Sequence, residues 1–258
     1  MVRFATFNLM SGRSLDDGLV DPERVAAAVG KLDADVLALQ EVDRDQPRSG
    51  HADLTAVAAA ALGAPHVLFV PALAGTPGGS WRAATDADLD PAAGPAYGIA
   101  LLSRWPVRHW KVVRLPAAPI RSPILAGTRI MLLRDEPRVL VAAVVDTPCG
   151  PMTIASTHLS FVPTWNIRQV RIAVRAMRAL DGPRLLMGDL NLPGWLAGRV
   201  TRWRSLAACP TFPSPAPKIQ LDHILLDPRD ARAFPAVDAI ATPAVGVSDH
   251  RPLVLDLV

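Results

Sequence analysis

The sequence predicts an α/β layered sandwich with mixed sheets. Helix-like and strand-like runs alternate in the first third of the chain. From Tyr97 to Thr157, by contrast, strand-like runs follow one another with no helix between them, which implies hairpins and antiparallel pairing. Helix and strand then alternate again towards the end, so the layers must hold both parallel and antiparallel strands. Half of the 258 residues are hydrophobic and no break in composition divides them, so one domain over residues 1–258 is expected.

Residues 2–9 alternate as a first strand. A helix follows, with Asp21 as its cap, Pro22 at its first position, and Val25, Ala28, Val29 and Leu32 along one face. The apolar run 35–39 is a strand that delivers Glu41 just beyond its end. A second helix over 52–62, stopped by Gly63, leads to a strand over 66–70, and the Pro-, Gly- and Asp-rich stretch 71–95 is the longest loop. Strands are expected at 99–103, 107–115, 129–133, 138–145 and 152–157. The clearest helix covers 165–180, with Thr164 as its cap and Ile167, Val170, Val174 and Met177 on its apolar face. Its arginines 168, 171, 175 and 178 form the opposite, solvated face. Strands at 184–187, 219–226 and 253–257 complete the chain.

Mean hydropathy is +0.23 and residues 54–81 carry no Asp, Glu, Lys or Arg, yet Gly63, Pro65 and Pro71 interrupt that stretch. A bilayer needs roughly 20 uninterrupted apolar residues, so no transmembrane segment is expected. The first strand already occupies the position a secretory leader would take, which points to the cytoplasm. Cys149 and Cys209 are too few for a disulfide framework and lack metal-ligand spacing. Although the pI is 9.3, 27 Lys and Arg nearly balance 24 Asp and Glu, giving a formal charge of +3. That balance argues against an extended nucleic-acid grip, because each neutralised phosphate needs its own cation.

Six short apolar runs end in polar side chains: Thr6-Phe7-Asn8, Leu39-Gln40-Glu41, Ser156-Thr157-His158, Gly188-Asp189-Leu190-Asn191, Leu221-Asp222-His223 and Ser248-Asp249-His250. Strand ends of a two-sheet core collect at one rim, which is where a site belongs. Magnesium prefers oxygen ligands and commonly uses one or two carboxylates; Glu41, Asp249 and the Asn8 amide would suffice. Asp222 and His250 form a natural pair, since a carboxylate on one ring nitrogen fixes the tautomer and leaves the other nitrogen to work. His158 lies at a strand terminus, and Gly188 permits a close backbone approach beside Asp189 and Asn191. No nucleophile elbow and no phosphate-cradling Gly-Lys loop occurs.

Taken in order, these six segments resemble the endonuclease/exonuclease/phosphatase superfamily, which includes deoxyribonucleases, exonuclease III-type repair enzymes, neutral sphingomyelinases and inositol polyphosphate 5-phosphatases. The resemblance runs from Phe4 to Leu253, and Tyr97-Gly98-Ile99-Ala100-Leu101-Leu102-Ser103-Arg104 is similar to the family's middle strand. It implies a four-layer sandwich, two mixed β-sheets face to face with helices on both outer sides. It also implies a Mg2+ site, with Mn2+ as substitute, at Asn8 and Glu41 and with Asp249 near that ion or a second one. His250 supported by Asp222 would be general base or phosphate-polarising group, Asp189 would position or activate water, Asn191 would stabilise developing charge, and His158 would contact the phosphate or leaving oxygen.

The implied substrate is a phosphate ester: a phospholipid, a small ester or nucleic acid. The opening Phe7-Asn8-Leu9-Met10-Ser11-Gly12 differs from the repair nucleases' Trp-Asn-Gly-Leu-Arg-Ala, and the form around Glu41 and His158 is closer to the sphingomyelinase-like branch. Three readings follow: a magnesium-dependent hydrolase of a non-nucleic-acid phosphodiester or phosphomonoester, a deoxyribonuclease, and a catalytically silent binding module. For a DNA reader, Trp195, Arg199, Arg202, Trp203 and Arg204, or Trp81 and Arg82, could supply contacts, and the Pro-rich segment 211–217 could border the substrate.

Overall fold

A computed structural model describes residues 2–119, 121–126 and 129–258. The first half of the chain runs β1 (Val2–Asn8), α1 (Pro22–Leu32), β2 (Val36–Arg44), α2 (Leu54–Leu62), β3 (His66–Gly75), β4 (Trp81–Ala83), β5 (Ala96–Ser103) and β6 (Val107–Leu115). After it come β7 (Arg121–Ala126), β8 (Arg129–Arg134), β9 (Arg138–Thr147), β10 (Gly150–His158), α3 (Trp165–Met177), β11 (Arg184–Asp189) and α4 (Gly194–Thr201). The chain finishes with β12 (Arg204–Ser205), β13 (Asp222–Leu226), β14 (Val237–Ala241) and β15 (Leu253–Leu257).

The strands form a seven-stranded sheet, β14-β15-β1-β2-β5-β3-β4, and a six-stranded sheet, β12-β13-β11-β10-β9-β6, while β7 and β8 pair as a separate hairpin. Both large sheets are mixed in the same way. Each contains one parallel pair joined through a helix, β1-α1-β2 in the first and β10-α3-β11 in the second, and antiparallel strands around it. Parallel strands need such a crossover, because their ends lie at opposite edges. Open sheets of this kind present ligand sites beyond the carboxyl ends of their parallel strands.

Three apolar clusters fill the layers among the described residues. Val2, Phe4, Val36 and Leu101 of one sheet meet Val141, Met152, Ile154 and Met187 of the other between the sheets. The far side of the first sheet, with Phe7, Leu37 and Leu39, lies under Val25, Val29 and Leu32 of α1 and Leu54 and Leu62 of α2. The far side of the second, with Leu140, Ala155 and Leu186, lies under Val170, Val174 and Met177 of α3. The result is the four-layer sandwich, helices outside and two sheets within.

Several elements depart from the sequence expectation. β2 runs through Glu41 to Arg44 instead of stopping before it, because a bulge lets pairing to β5 resume after the irregularity. The expected loop 71–95 contains the end of β3 and all of β4, which pair as a hairpin closed at Gly75, whose φ is +104°. α3 ends at Met177, and Thr164 stands at its cap position with φ +68° without donating or accepting a side-chain capping bond. The strand expected from 219 begins at Asp222, and β4, β7, β12 and β14 were not expected. β14 is an edge strand whose side chains are mostly exposed, so it lacks the apolar alternation that marks a strand in sequence. No helix among the described residues is long and apolar enough to cross a membrane.

Gly188 carries a specific constraint. Its φ is +143°, and a Cβ there would run into the Thr157 carbonyl of the neighbouring parallel strand. Gly188→Ala is therefore expected to cost about 2–5 kcal/mol through backbone strain and overpacking. A denaturant midpoint equal to that of the unsubstituted chain would contradict this.

Candidate active site

Alternation decides which side chains face the gap between the sheets. Along β1, Val2 and Phe4 point inward, so Thr6 and Asn8 follow them; along β10, Met152 and Ile154 carry Ser156 and His158; along β11, Leu185 and Met187 carry Asp189; along β13, Ile224 and Leu226 carry Asp222. The register aligns the ends, with Asn8 opposite Gln40, His158 opposite Asp189 and Asp189 opposite Asp222.

Glu41 is the exception to simple alternation. Leu37, Leu39 and Val42 all pack in the helix-side cluster, so the two residues between Leu39 and Val42 break the period of two. Glu41 sits at that bulge with φ +53°, which turns its carboxylate towards Asn8 instead of under α2. Beneath it, the buried Gln40 accepts from Thr6 Oγ1 at 3.2 Å and donates from Nε2 to Ser156 Oγ at 3.2 Å, bridging the two sheets.

Seven of the eight expected site residues touch in one network. Asn8 Nδ2 donates at 3.0 Å to Glu41 Oε1 and at 3.0 Å to Asp189 Oδ2, while its Oδ1 accepts from the Met10 N–H. His250 Nδ1 and Asp222 Oδ2 are 2.8 Å apart, and His250 Nε2 lies 3.8 Å from Asp189 Oδ2. His158 Nε2 is 3.6 Å from Asp189 Oδ2 and 4.0 Å from Glu41 Oε1. The Asn191 backbone N–H donates to Asp189 Oδ1 at 2.9 Å, and its side-chain Nδ2 donates to the Leu159 carbonyl at 2.9 Å. β11 ends at Asp189 and Asn191 has φ +48°, so this pair meets through a tight turn and not along a continuing strand. Asp249 stands beside the network, half-buried, and none of the other seven hydrogen-bonds its carboxylate among the described residues.

Ser248 clasps the last motif to the first: its hydroxyl donates to the Asn8 carbonyl at 2.6 Å and accepts from the His250 N–H at 3.0 Å. The Pro-rich segment supports the same histidine. Phe212 packs on the His250 ring with centroids 5.0 Å apart, and Thr211 Oγ1 accepts from the Asp222 N–H at 3.3 Å. The Trp and Arg cluster near α4 divides, since Trp203 is buried in the core beneath α3 whereas Trp195 is 70% exposed.

The sequence reading missed the opposite wall of the cleft. A cavity of about 250 Å³ is lined by Glu41, His158, Asp189, Asn191 and His250, and also by Tyr97, Arg134, Glu136, Arg138 and Phe161. Arg138 opens β9, which runs antiparallel to β10, so the start of one strand lies at the end of the other. Its Nη1 is 3.1 Å from His158 Nδ1. A guanidinium can only donate, so Nδ1 accepts and the neutral ring carries its proton on Nε2, facing Asp189 and Glu41; the Asn191 Nδ2, 3.3 Å from Nε2, is then a contact between two donors and not a hydrogen bond.

Charge is unevenly compensated here. Burial, then the nearby Arg138 and His250 charges, hold the His158 imidazole well below its ordinary value and thus neutral. For His250, burial pulls downward, but the charges of Asp222, Asp189 and Asp249 and the bond to Asp222 prevail and raise it to about 10. Burial pushes the Asp189 carboxyl up, with His250 opposing and Asp222 adding to the push. Burial likewise raises Asp249 and Glu136. Glu41, Glu136 and Asp189 in the lining are matched by Arg134, Arg138 and His250, and Asp222 and Asp249 beside His250 leave the site as a whole with more acid groups than positive charge. Asp222 Oδ1 is also buried with no hydrogen-bond partner among the described residues. Ligand atoms of Asp189, Asp222 and His250 all lie within 4.8 Å of one another, but the direct bond between His250 and Asp222 already occupies that junction. Of the acid cluster, Glu41 and Asp189 line the cavity, whereas Asp222 does not.

The sequence matches the Endonuclease/Exonuclease/phosphatase family over residues 5–250. No curated protein is similar in sequence. Among solved structures, an endonuclease/exonuclease/phosphatase from Beutenbergia cavernae superimposes with a TM-score of 0.70 at 24% identity, covering 99% of this chain and 71% of that one. Sphingomyelinase C from Streptomyces griseocarneus gives 0.62 at 17% identity, covering 100% and 99%. A mannosyl-6-phosphatase of Bacteroides thetaiotaomicron gives 0.62 at 15% identity over 100% of both chains.

Proposed function

Because the chain belongs to the endonuclease/exonuclease/phosphatase family, we propose that it is a divalent-metal-dependent hydrolase of a phosphodiester or phosphomonoester, acting by direct attack of water. The observation that carries the reading is the single Asn8 amide that touches both Glu41 and Asp189, drawn from different sheets, within reach of the His250–Asp222 pair. Glu41 and Asp249, and Asn8 once its amide turns its oxygen from the Met10 N–H towards the acids, are the residues that would hold Mg2+, or Mn2+ in its place, and the surplus of acid groups fits a hard cation. When bound, such an ion polarises a phosphoryl oxygen and stabilises the departing oxyanion.

The side chains divide the remaining work. Asp189, kept basic by burial and oriented by the Asn8 amide and the Asn191 N–H, accepts the proton of the attacking water. His250, charged and held by Asp222, donates from Nε2 to a phosphoryl oxygen and polarises it. The proton on His158 Nε2, placed by Arg138, is a second donor for phosphate oxygens, and the Asn191 amide lies beside it. No covalent intermediate is needed.

The preferred substrate lies outside nucleic acid, because a compact cleft and near-balanced charge do not supply the row of cations that DNA requires. The test is a panel of plasmid DNA, abasic duplex, sphingomyelin, inositol phosphates and bis-p-nitrophenyl phosphate with Mg2+ or Mn2+, before and after chelation. Chelation should abolish turnover and added Mg2+ should restore it; undiminished turnover in chelator would overturn the metal assignment. A nuclease would instead favour DNA and lose roughly 10³-fold or more in affinity between 50 and 200 mM salt.

A further inference from the structure

Next to the catalytic cleft lies a second, larger cavity of about 460 Å³, and the two share Arg134 and Arg138 in their walls. It opens where β3 and β9 approach one another at the rim of the inter-sheet core, and Ala72 and Val139 of that core form part of its lining. Ala83, Ala84, Ala117, Leu115 and two prolines line most of the remainder, so at the alanines side chains of one carbon stand where larger ones would close the gap; Arg114 also borders it, with its guanidinium held by Asp86 and the Pro71 carbonyl. No acidic side chain lines it among the described residues. Arg138, at the junction, is 6% exposed, and its Nε is buried with no hydrogen-bond partner among the described residues. A buried donor without an acceptor is costly, and a ligand oxygen at the junction would relieve it.

We propose that this cavity receives the organic arm of the phosphate ester, and that the arm is an apolar group, aryl or short branched alkyl, with Arg138 donating to an oxygen at the point where it joins the phosphoryl group. The inference rests on the hydrolase reading above and adds to it a substrate class. An apolar arm matches the alanine, valine and leucine lining. Because Arg134 and Arg138 line both cavities, a molecule that passes between these side chains would fill both.

The test narrows the cavity without touching the catalytic residues. Ala83 is exposed on the edge strand β4 and Ala117 is half-buried in a connector, so Ala83→Trp and Ala117→Phe are placed where the added ring can enter the cavity from its margin. Two independent positions, each checked by its melting temperature, keep the test readable if one variant folds poorly. Turnover of 2-naphthyl and methyl phosphates, as monoesters and as methyl diesters, is compared for each variant against the unsubstituted chain. The expected result is a fall of roughly 10- to 100-fold in kcat/KM for the naphthyl esters alone, the size of discrimination that an apolar pocket provides. Equal effects on naphthyl and methyl esters, or none on either, would overturn the inference while leaving the hydrolase reading in place. Binding of 2-naphthyl phosphonate, followed by its fluorescence, separates the two failures. If no ester is turned over but the phosphonate binds and Ala83→Trp weakens it, the cavity assignment stands and the hydrolase reading falls; if it does not bind, the cavity assignment falls as well.

Discussion

His250→Gln is expected to lower kcat by about 10²- to 10⁴-fold, the range a positioned proton donor or acceptor contributes. Glutamine is the informative replacement because Asp222 is completely buried, and a carboxylate left without a partner there would destabilise the fold by about 3–5 kcal/mol. The glutamine amide can still donate to Asp222, yet it carries no charge and offers no titratable nitrogen to the cleft. Loss of rate with a nearly unchanged melting temperature would assign the effect to chemistry. Near-normal turnover at saturating Mg2+ would remove His250 from the mechanism.

Glu41→Gln is expected to raise the Mg2+ concentration needed for half-maximal activity by more than about 100-fold, since it removes a full charge from a proposed ligand while keeping its shape. The Asn8 amide keeps an oxygen acceptor at this position, so the bulge of β2 has no reason to rearrange. A second readout is independent of turnover. Mg2+ that binds only the folded chain raises its melting temperature, and the variant should lose that rise. Retention of both the rise and the rate would exclude Glu41 as a ligand.

Much of this site was legible because β-strands have a period of two. Once the inward residues of β1, β10, β11 and β13 are known from their apolar neighbours, Asn8, His158, Asp189 and Asp222 must share the inter-sheet side. The same rule misplaces Glu41, since unbroken alternation after Leu39 would send its side chain to the wrong face; only the pairing of β2 with β5 reveals the bulge. Arg138 and Glu136 were overlooked for a related reason. Both stand at the beginning of an apolar run and not at its end, and their proximity to His158 depends on β9 and β10 running in opposite directions. The order of strands across each sheet was not legible, because partners such as β1 and β15 lie nearly the whole chain apart and local pattern carries no information on distant pairing.

The bond from Gln40 to Ser156 sets a spacer between two slabs, and Glu41 and His158 follow it on the two slabs and both line the cleft. The separation of Glu41 from His158 is therefore a dimension of the interior as much as of the mouth. Packing between the slabs works like the shims of a vice: residues that line no part of the cleft determine how wide the jaws stand.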